Sequence, residues 1–121
     1  LSSMTPTLVL RDGKPWIVAG SPGGPRIITT VLLSLLNVID YGMDVQEAVS
    51  APRFHQQWMP DTLSVERAVP EDVRENLRRR GHVIEVSPRD WSSAQAIVVD
   101  RATGLHFGGS DPRSDGLAVA P

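Results

Sequence analysis

Residues 16–28, Trp-Ile-Val-Ala-Gly-Ser-Pro-Gly-Gly-Pro-Arg-Ile-Ile, contain the transition that decides the fold. An apolar strand over 16–19 leads into a glycine-rich turn, and Pro25 then opens a long apolar helix that extends to Asp40. Proline suits the first helical position because the N–H that it lacks has no intrahelical partner there. A strand, a turn and a helix start in this order expose backbone N–H groups beside the positive end of the helix dipole.

Gly23 and Gly24 lie in this turn, and a ligand can approach their backbone closely because they have no Cβ atoms. Such a turn can hold a phosphate, a carboxylate or a developing oxyanion. A purely structural turn is the commoner explanation of the pattern, since Gly-Gly often precedes a helix. No Gly-Lys-Ser/Thr follows and the three-glycine dinucleotide pattern is incomplete, so the sequence gives a nucleotide site little support.

On the N-terminal side of the turn, apolar runs at 7–10 and 16–19 flank Asp12-Gly13, which predicts a β-hairpin. Both runs are almost continuously apolar, so we expect both faces of the strands to be buried. The long helix is apolar on most sides, which also predicts burial all round. Gly42 ends it, and Asp44 with Glu47 forms a capping-box pattern for a short helix through about Ser50.

The remainder of the chain predicts one more helix and three strands. Residues 51–64 are expected to be irregular, and an amphipathic helix follows over 70–80 with a buried stripe at Val69, Val73 and Leu77. Strands are predicted at 83–86, 94–99 and 105–109. Strands, then helices, then strands again predict a layered α/β fold with mainly antiparallel pairing.

Composition limits the possible functions. The chain has 121 residues, of which 40% are hydrophobic and 21% charged, as in an ordinary globular domain. The net charge of -2 gives no reason to expect nucleic acid as a partner. With no cysteine, a disulfide, a thiol nucleophile and a cysteine-ligated metal are impossible. Three histidines lie far apart without a second ligand nearby, so we predict neither a metal site nor a cofactor.

Several polar groups are candidates for chemistry. Ser2 and Ser3 could offer hydroxyls and amides to a small anion, although paired serines are more often solvated or part of a turn, and the same applies to Ser92 and Ser93. Near the C-terminus, Asp111, Arg113 and Asp115 favour an ion-pair or capping network.

An N-terminal nucleophile would need Ser, Thr or Cys at position 1, where this chain has Leu. We therefore expect a fragment or processed chain that is inactive alone.

Five ordered motifs resemble those of γ-glutamyltranspeptidases, and the resemblance runs essentially from Leu1 to Pro121. They are Leu-Ser-Ser-Met-Thr-Pro-Thr at 1–7, Gly-Ser-Pro-Gly-Gly at 20–24 with Arg-Ile-Ile-Thr at 26–29, Ala-Pro-Arg-Phe-His at 51–55, Ser-Ser-Ala-Gln at 92–95 and Gly-Gly-Ser-Asp-Pro-Arg at 108–113. Because they follow the order and spacing of that family, residues 1–121 look like the C-terminal portion of its small, catalytic subunit.

The resemblance implies an N-terminal-nucleophile hydrolase with an αββα sandwich. In that family a precursor cuts itself into two subunits, and the new N-terminal Thr of the small subunit carries the γ-glutamyl group. The group passes from compounds such as glutathione to water, an amino acid or a peptide. By resemblance, Ser2 and Ser3 hold the α-carboxylate of the substrate, and Gly23 and Gly24 form the oxyanion hole, an assignment that agrees with N–H donors at a helix start.

The resemblance also implies partners and a location. The partners are the large subunit of the same precursor, the upstream part of the small subunit and a small γ-glutamyl substrate, without nucleic acid or cofactor. The compartment is periplasmic or extracellular. Two features depart from the family. Its nucleophilic Thr and the residues that bind the α-amino group correspond to positions before Leu1 and are absent from this sequence, and Pro25 stands where Ser or another small residue is commoner. Alternatives are a cephalosporin acylase of the same superfamily and a non-catalytic assembly module.

Overall fold

The computed structural model describes residues 5–119, which divide into two compact units. The first unit contains the described residues up to Ala51 and those from Ser92 onward, and the second is Pro52–Trp91. Within the described residues, no helix has both the length and the apolar character needed to cross a bilayer. The mixed α/β class and the mainly antiparallel pairing predicted from the sequence are confirmed.

A four-stranded antiparallel sheet forms the base of the first unit. Its strands are β1 (Thr7–Arg11), β2 (Lys14–Gly20), β6 (Gln95–Val99) and β7 (His106–Ser110), in the order β1-β2-β6-β7. Asp12 and Gly13 join β1 to β2 with φ values of 52° and 73°. Two successive positive φ angles define the hairpin turn that Asp-Gly favours, so the predicted hairpin is confirmed.

Two helices pack on one face of this sheet. A short 3-10 turn, Gly24–Arg26, leads into α1 (Ile27–Ile39), and α2 (Val45–Ser50) follows. The predicted capping box is confirmed: Glu47 N–H donates to the Asp44 carboxylate at 2.8 Å, and Asp44 N–H donates back to Glu47 at 3.2 Å. The core between helices and sheet consists of small and β-branched side chains, namely Ala19, Ile27, Val31, Val45, Val49, Ala94 and Ala96.

The opposite face of the sheet is exposed within the described part of the chain. Leu8, Val18 and Ile97 are paired across β1, β2 and β6 and are 57%, 45% and 44% exposed. On α1, Ile28 and Leu32 are also about half exposed. The prediction of burial on both sides of these elements is therefore wrong for this chain. Some apolar faces of the sheet and of α1 are therefore not covered by other described residues.

The second unit has a three-stranded sheet and one helix. Its strands are β3 (Phe54–His55), β4 (Leu63–Val65) and β5 (Ile84–Val86), and its helix is α3 (Glu71–Arg79). β4 pairs antiparallel with β3 and parallel with β5. The irregular segment predicted over 51–64 thus contains β3 and the start of β4, strands too short to show a period. A core forms around Leu63, Val65 and Val69, with Leu77, Ile84 and Val86 against it.

The predicted stripe on α3 is only partly confirmed. Val69 is buried and Leu77 packs against the core, but Val73 is 41% exposed. The solvent side of the helix is organised by charge, with Arg74 and Arg78 both paired to Glu71. The hydrogen bond from Arg78 lowers the pKa of the Glu71 carboxyl below its ordinary value, and the charge of Arg74 adds to this.

Two buried charged residues, Arg53 and Glu66, are joined by a hydrogen bond in the second unit. Arg53 and Glu66 are 2% and 1% exposed. Glu66 accepts a hydrogen bond from the Arg53 backbone N–H at 2.8 Å, and the Arg53 guanidinium donates to the Trp91 carbonyl at 3.2 Å. A buried charged group is tolerated where hydrogen bonds replace its hydration. Arg53, from the Ala-Pro-Arg-Phe-His motif at 51–55, therefore has a structural role here.

Candidate active site

The turn between β2 and α1 has a backbone that only glycine adopts cheaply. Gly23 has φ 141° and ψ 15°, and Gly24 has φ 59°. With ψ near zero, the nitrogen atoms of Gly23 and Gly24 lie on the same side of the Gly23 Cα–C bond. The Gly23 carbonyl faces away from them and accepts from Arg26 N–H at 3.2 Å. The two glycines therefore present successive N–H groups to one side of the turn.

These two N–H groups have no hydrogen-bond acceptor within residues 5–119. They stand at the N-terminal end of the 3-10 turn and of α1, where the helix dipole is positive. A Cβ at Gly24 would meet no atom within 4 Å, so that side of the turn is open. Two N–H donors at an open, positive helix start can stabilise a carboxylate or an oxyanion.

Ser92 packs against the other side of Gly23. A Cβ added to Gly23 would overlap the Ser92 Oγ atom and lie 3.0 Å from the Ser92 Cβ. At φ 141° the Cβ direction of Gly23 is opposite to its N–H, so Ser92 lies behind the N–H groups. Ser92 itself has φ 60°, and its Oγ is buried with no hydrogen-bond partner among the described residues.

Hydrogen bonds also join the glycine turn to the segment that contains Ser92. Ser21 Oγ accepts from Ser93 N–H at 3.2 Å and donates to the Pro22 carbonyl at 2.8 Å. The Ser93 and Ser114 hydroxyls lie 2.5 Å apart. The paired serines 92–93, for which the sequence favours a solvated or turn-forming role, are thus half-buried residues beside the glycine turn.

Asp111 and Arg113 fix the start of β6. Asp111 is 1% exposed, and its carboxylate accepts from Ala94 N–H at 2.7 Å and from the Arg113 guanidinium at 3.0 Å. The same guanidinium donates to the carbonyls of Val49 and Ala51 at the end of α2. The predicted ion-pair and capping network is confirmed for these two residues, and Asp115 is absent from these contacts.

Ser2 and Ser3, the predicted carboxylate site, lie outside the described residues. The nearest described strand is β1, whose first residue Thr7 pairs with Ala19 at the end of β2. The chain thus enters β1 at the end of the sheet that bears the Gly23–Gly24 turn. Within residues 5–119, no three His, Cys, Asp or Glu side chains form a group able to hold a metal ion.

Other polar features lie apart from the turn in sequence. In the β6–β7 connection, a hydrogen bond from the Thr103 hydroxyl and a further one from Ala102 N–H lower the pKa of the Asp100 carboxyl. The second unit contains a cavity of about 260 Å³ lined in part by Asp61, Arg80 and His82. Neither feature includes a residue that the sequence predicts for the site.

Known proteins share both the sequence and the fold of this chain. The γ-glutamyltranspeptidase family model matches residues 1–120. In structure, the chain is similar to a mutant γ-glutamyltranspeptidase of Helicobacter pylori, with TM-score 0.87 and 50% identity over 94% of this chain and 62% of that one. The fold is that of an N-terminal-nucleophile hydrolase. The chain belongs to the γ-glutamyltranspeptidase family.

Its relatives are precursors of much greater length. The glutathione hydrolase proenzyme of Escherichia coli (strain K12) is 51% identical over 114 residues, which are 94% of this chain and 19% of that protein. The acylase ACY 1 proenzyme of Pseudomonas sp. (strain SE83) is 37% identical over 98% of this chain and 21% of its own length. The chain thus spans about a fifth of the curated relatives that it matches.

The sequence predicts the glycine turn, but for Ser92 it favours a solvated or turn-forming role and does not predict the contact with Gly23. Ser92 is far from Gly23 in the chain, and a serine at positive φ has no sequence signature comparable to Asp-Gly or Gly-Gly. The available signal is the Ser-Ser-Ala-Gln motif at 92–95, which precedes a strand that pairs with β2. Adjacent strands bring such a motif beside the turn that follows β2.

Proposed function

We propose that the complete protein cleaves γ-glutamyl bonds, as in glutathione and its conjugates, and transfers the γ-glutamyl group to water, an amino acid or a peptide. In this proposal Gly23 and Gly24 form the oxyanion hole, and Ser2 and Ser3 bind the α-carboxylate of the donor. The observation that carries the proposal is the pair of N–H groups at the start of α1, which have no acceptor within residues 5–119.

The proposed reaction depends on stabilising the negative charge that develops on the γ-carbonyl oxygen. The hydroxyl of an N-terminal Thr, in the segment upstream of this chain, attacks the γ-carbonyl carbon while its amino group takes the proton. The carbonyl oxygen becomes an oxyanion, which accepts hydrogen bonds from Gly23 N–H and Gly24 N–H. Collapse of this intermediate breaks the amide bond, and the proton passes to the leaving amine. Water or an acceptor amine then attacks the γ-glutamyl ester and restores the Thr hydroxyl.

The role of this chain is to supply donors within a larger protein. The nucleophile, the amino-group pocket and the large subunit belong to the part of the precursor that this chain does not include. The exposed apolar row of Leu8, Val18 and Ile97 supports this arrangement, because an apolar sheet face of this kind is normally covered. We propose that the remainder of the precursor, which cleaves itself before it is active, covers that face.

The two alternatives have weaker support. The greater identity to a glutathione hydrolase than to the acylase, 51% against 37%, favours a γ-glutamyl donor over a glutaryl side chain. A non-catalytic module would not need two N–H groups held on the same side of an open turn. We propose a periplasmic or extracellular location for the complete protein on the family resemblance, which fractionation of cells that produce it would test.

Gly24→Val in the complete protein tests the oxyanion hole. Valine at φ 59° is strained, and its side chain would enter the open side of the turn where the γ-carbonyl has to lie. We expect kcat for a γ-glutamyl anilide to fall by ~10²–10³, the usual effect of losing one oxyanion donor. Activity is expressed per molecule of self-cleaved enzyme, and this chain alone, as a negative control, should release no product.

The matched control is Gly13→Val, because Gly13 also has positive φ and an open Cβ direction but lies in the β1–β2 hairpin. It should lose stability and retain kcat. Ser2→Ala with Ser3→Ala should instead raise KM for the donor, since each hydrogen bond to a charged group contributes roughly 1.5–3 kcal/mol. A folded Gly24→Val enzyme with wild-type kcat would show that the glycine pair is only a turn.

A further inference from the structure

The glycine pair proposed as the oxyanion hole needs an external restraint. Glycine populates both hands of backbone conformation, so two glycines in succession form the least rigid dipeptide available. Oxyanion donors accelerate a reaction only when they are already oriented before charge develops. Contacts with the rest of the protein therefore have to hold the Gly23–Gly24 peptide in place.

Several contacts among the described residues act on this turn, and three of them bear on the orientation of Gly23. The Gly23 carbonyl accepts from Arg26 N–H, and Ser21 Oγ accepts from Ser93 N–H. The third contact is the Ser92 side chain, whose Oγ occupies the space that a Cβ at Gly23 would need. Only this third contact acts on the Cα of Gly23, on the side opposite to its N–H.

We propose that Ser92 is a positioning residue for the oxyanion hole: its side chain packs behind Gly23 and fixes the direction of the Gly23 and Gly24 N–H groups. The proposal rests on the function proposed above. Ser92 does not touch the substrate in it, because its Oγ lies behind the donors.

Two further features of Ser92 support this role. Its φ of 60° is a conformation that serine adopts at a cost, and glycine at this position would avoid the cost. Its Oγ is buried with no hydrogen-bond partner among the described residues, which is unfavourable for a hydroxyl. Local strain of this kind is concentrated at functional sites, where surrounding structure maintains it. Ser92 is thus unfavourable for local stability, and its side chain packs against the Cα of Gly23.

The test uses the complete self-cleaved enzyme with a γ-glutamyl anilide as donor. Ser92→Ala removes only the Oγ atom, and Ser92→Gly removes the whole side chain together with the strain at φ 60°. We expect kcat to fall about tenfold in Ser92→Ala and further in Ser92→Gly, because small displacements of catalytic groups have large effects on rate. KM should change little, since the α-carboxylate site is intact.

Melting temperature separates positioning from a structural role. Glycine tolerates the left-handed conformation, so Ser92→Gly should melt at the same temperature as the wild type or higher while its kcat falls. The matched control is Ser110→Ala: Ser110 Oγ is also buried without a partner among residues 5–119 and overlaps the Cβ position of another glycine, Gly116. It should leave kcat unchanged.

The outcomes separate this proposal from the one on which it rests. If Gly24→Val loses kcat and both Ser92 variants keep it, the oxyanion hole stands and the role of Ser92 is wrong. Wild-type kcat in Gly24→Val would remove the basis for both. A lower kcat accompanied by a lower melting temperature in both Ser92 variants would overturn the positioning role, because Ser92 would then act through the fold.

Discussion

The chain contains two Gly-Gly pairs, and they exist for different physical reasons. Gly23 and Gly24 both have positive φ and expose their N–H groups at the start of α1. Gly108 and Gly109 are not among the positive-φ glycines, and they lie within β7. There the missing side chain serves close packing: a Cβ at Gly109 would lie 2.6 Å from the Val45 carbonyl oxygen at the start of α2.

The contrast shows that identical dipeptides can serve backbone conformation or packing. In the turn, glycine permits a backbone conformation with positive φ, and the space beside Gly24 is open among the described residues. In the strand, glycine lets helix α2 approach the sheet, and the space is filled by protein. Substitution should therefore affect the rate of reaction at the first pair and the free energy of unfolding at the second.

The largest effect is expected for Gly23→Ala in the complete enzyme. Alanine disfavours φ 141°, and its Cβ would overlap the Ser92 Oγ, so the turn has to rearrange. Because both proposed oxyanion donors depend on the backbone at this residue, kcat should fall by at least ~10²-fold, as for the loss of one donor. Steady-state kinetics per self-cleaved enzyme measures it.

Combining Gly23→Ala with Ser92→Gly sharpens that prediction, since the overlap disappears and only the backbone cost remains. Neighbouring residues that share a contact are non-additive, so the double variant should be less impaired than the product of the two single effects predicts. Strict additivity would mean that Ser92 and Gly23 do not constrain each other.

A smaller effect is expected for Gly109→Ala, and it should change the free energy of unfolding rather than kcat. Its Cβ would meet backbone atoms of Val45 at 2.6 and 2.9 Å, and a backbone neighbour yields less easily than a flexible side chain. Overpacking of this kind typically costs about 1–3 kcal/mol. Urea unfolding of the complete enzyme should show the loss, with kcat of the remaining folded enzyme unchanged. A selective loss of kcat would contradict the division between the two pairs.

The smallest effect is expected for Gly108→Ala. Its Cβ would meet Ala118, at 2.8 Å from the Cβ and 3.9 Å from the Cα, near the end of the described chain. Alanine also restricts the unfolded chain, which favours folding by about 0.4–1 kcal/mol where the native φ is compatible. The two effects oppose each other, and the unfolding free energy should change by less than about 0.5 kcal/mol, as at ordinary surface sites.

Local chemistry accounts for what the sequence could predict. Asp12-Gly13 and the Asp44–Glu47 capping box act over a few residues, and their hairpin and helix are where the sequence predicts them. The prediction that β2 and α1 are buried on both faces is wrong because hydrophobicity indicates that a surface favours burial. It does not say whether the same chain covers it.

The candidate site likewise has one part that local sequence predicts and one that it does not. Gly23 and Gly24 could be found because a strand, two glycines and a helix start are contiguous in sequence. Ser92 could be named as a candidate, but its contact with Gly23 could not be predicted, because that contact depends on the pairing of β2 with β6. That pairing is set by register across distant segments, and neither the residue type nor its neighbours indicate a left-handed backbone at position 92.

Asp111 and Arg113 join the two points at which the chain leaves and re-enters the first unit. Arg113 donates to the carbonyl of Ala51, the last residue before the departure, and Asp111 accepts from Ala94 just after the return. Pro52–Trp91 is thus an insertion between two segments of the first unit that Asp111 and Arg113 hold together. Closing a loop costs only ≈ 0.6 kcal/mol more for each doubling of its length. Changes of length within the insertion should therefore be tolerated far better than any change to the two residues that close it.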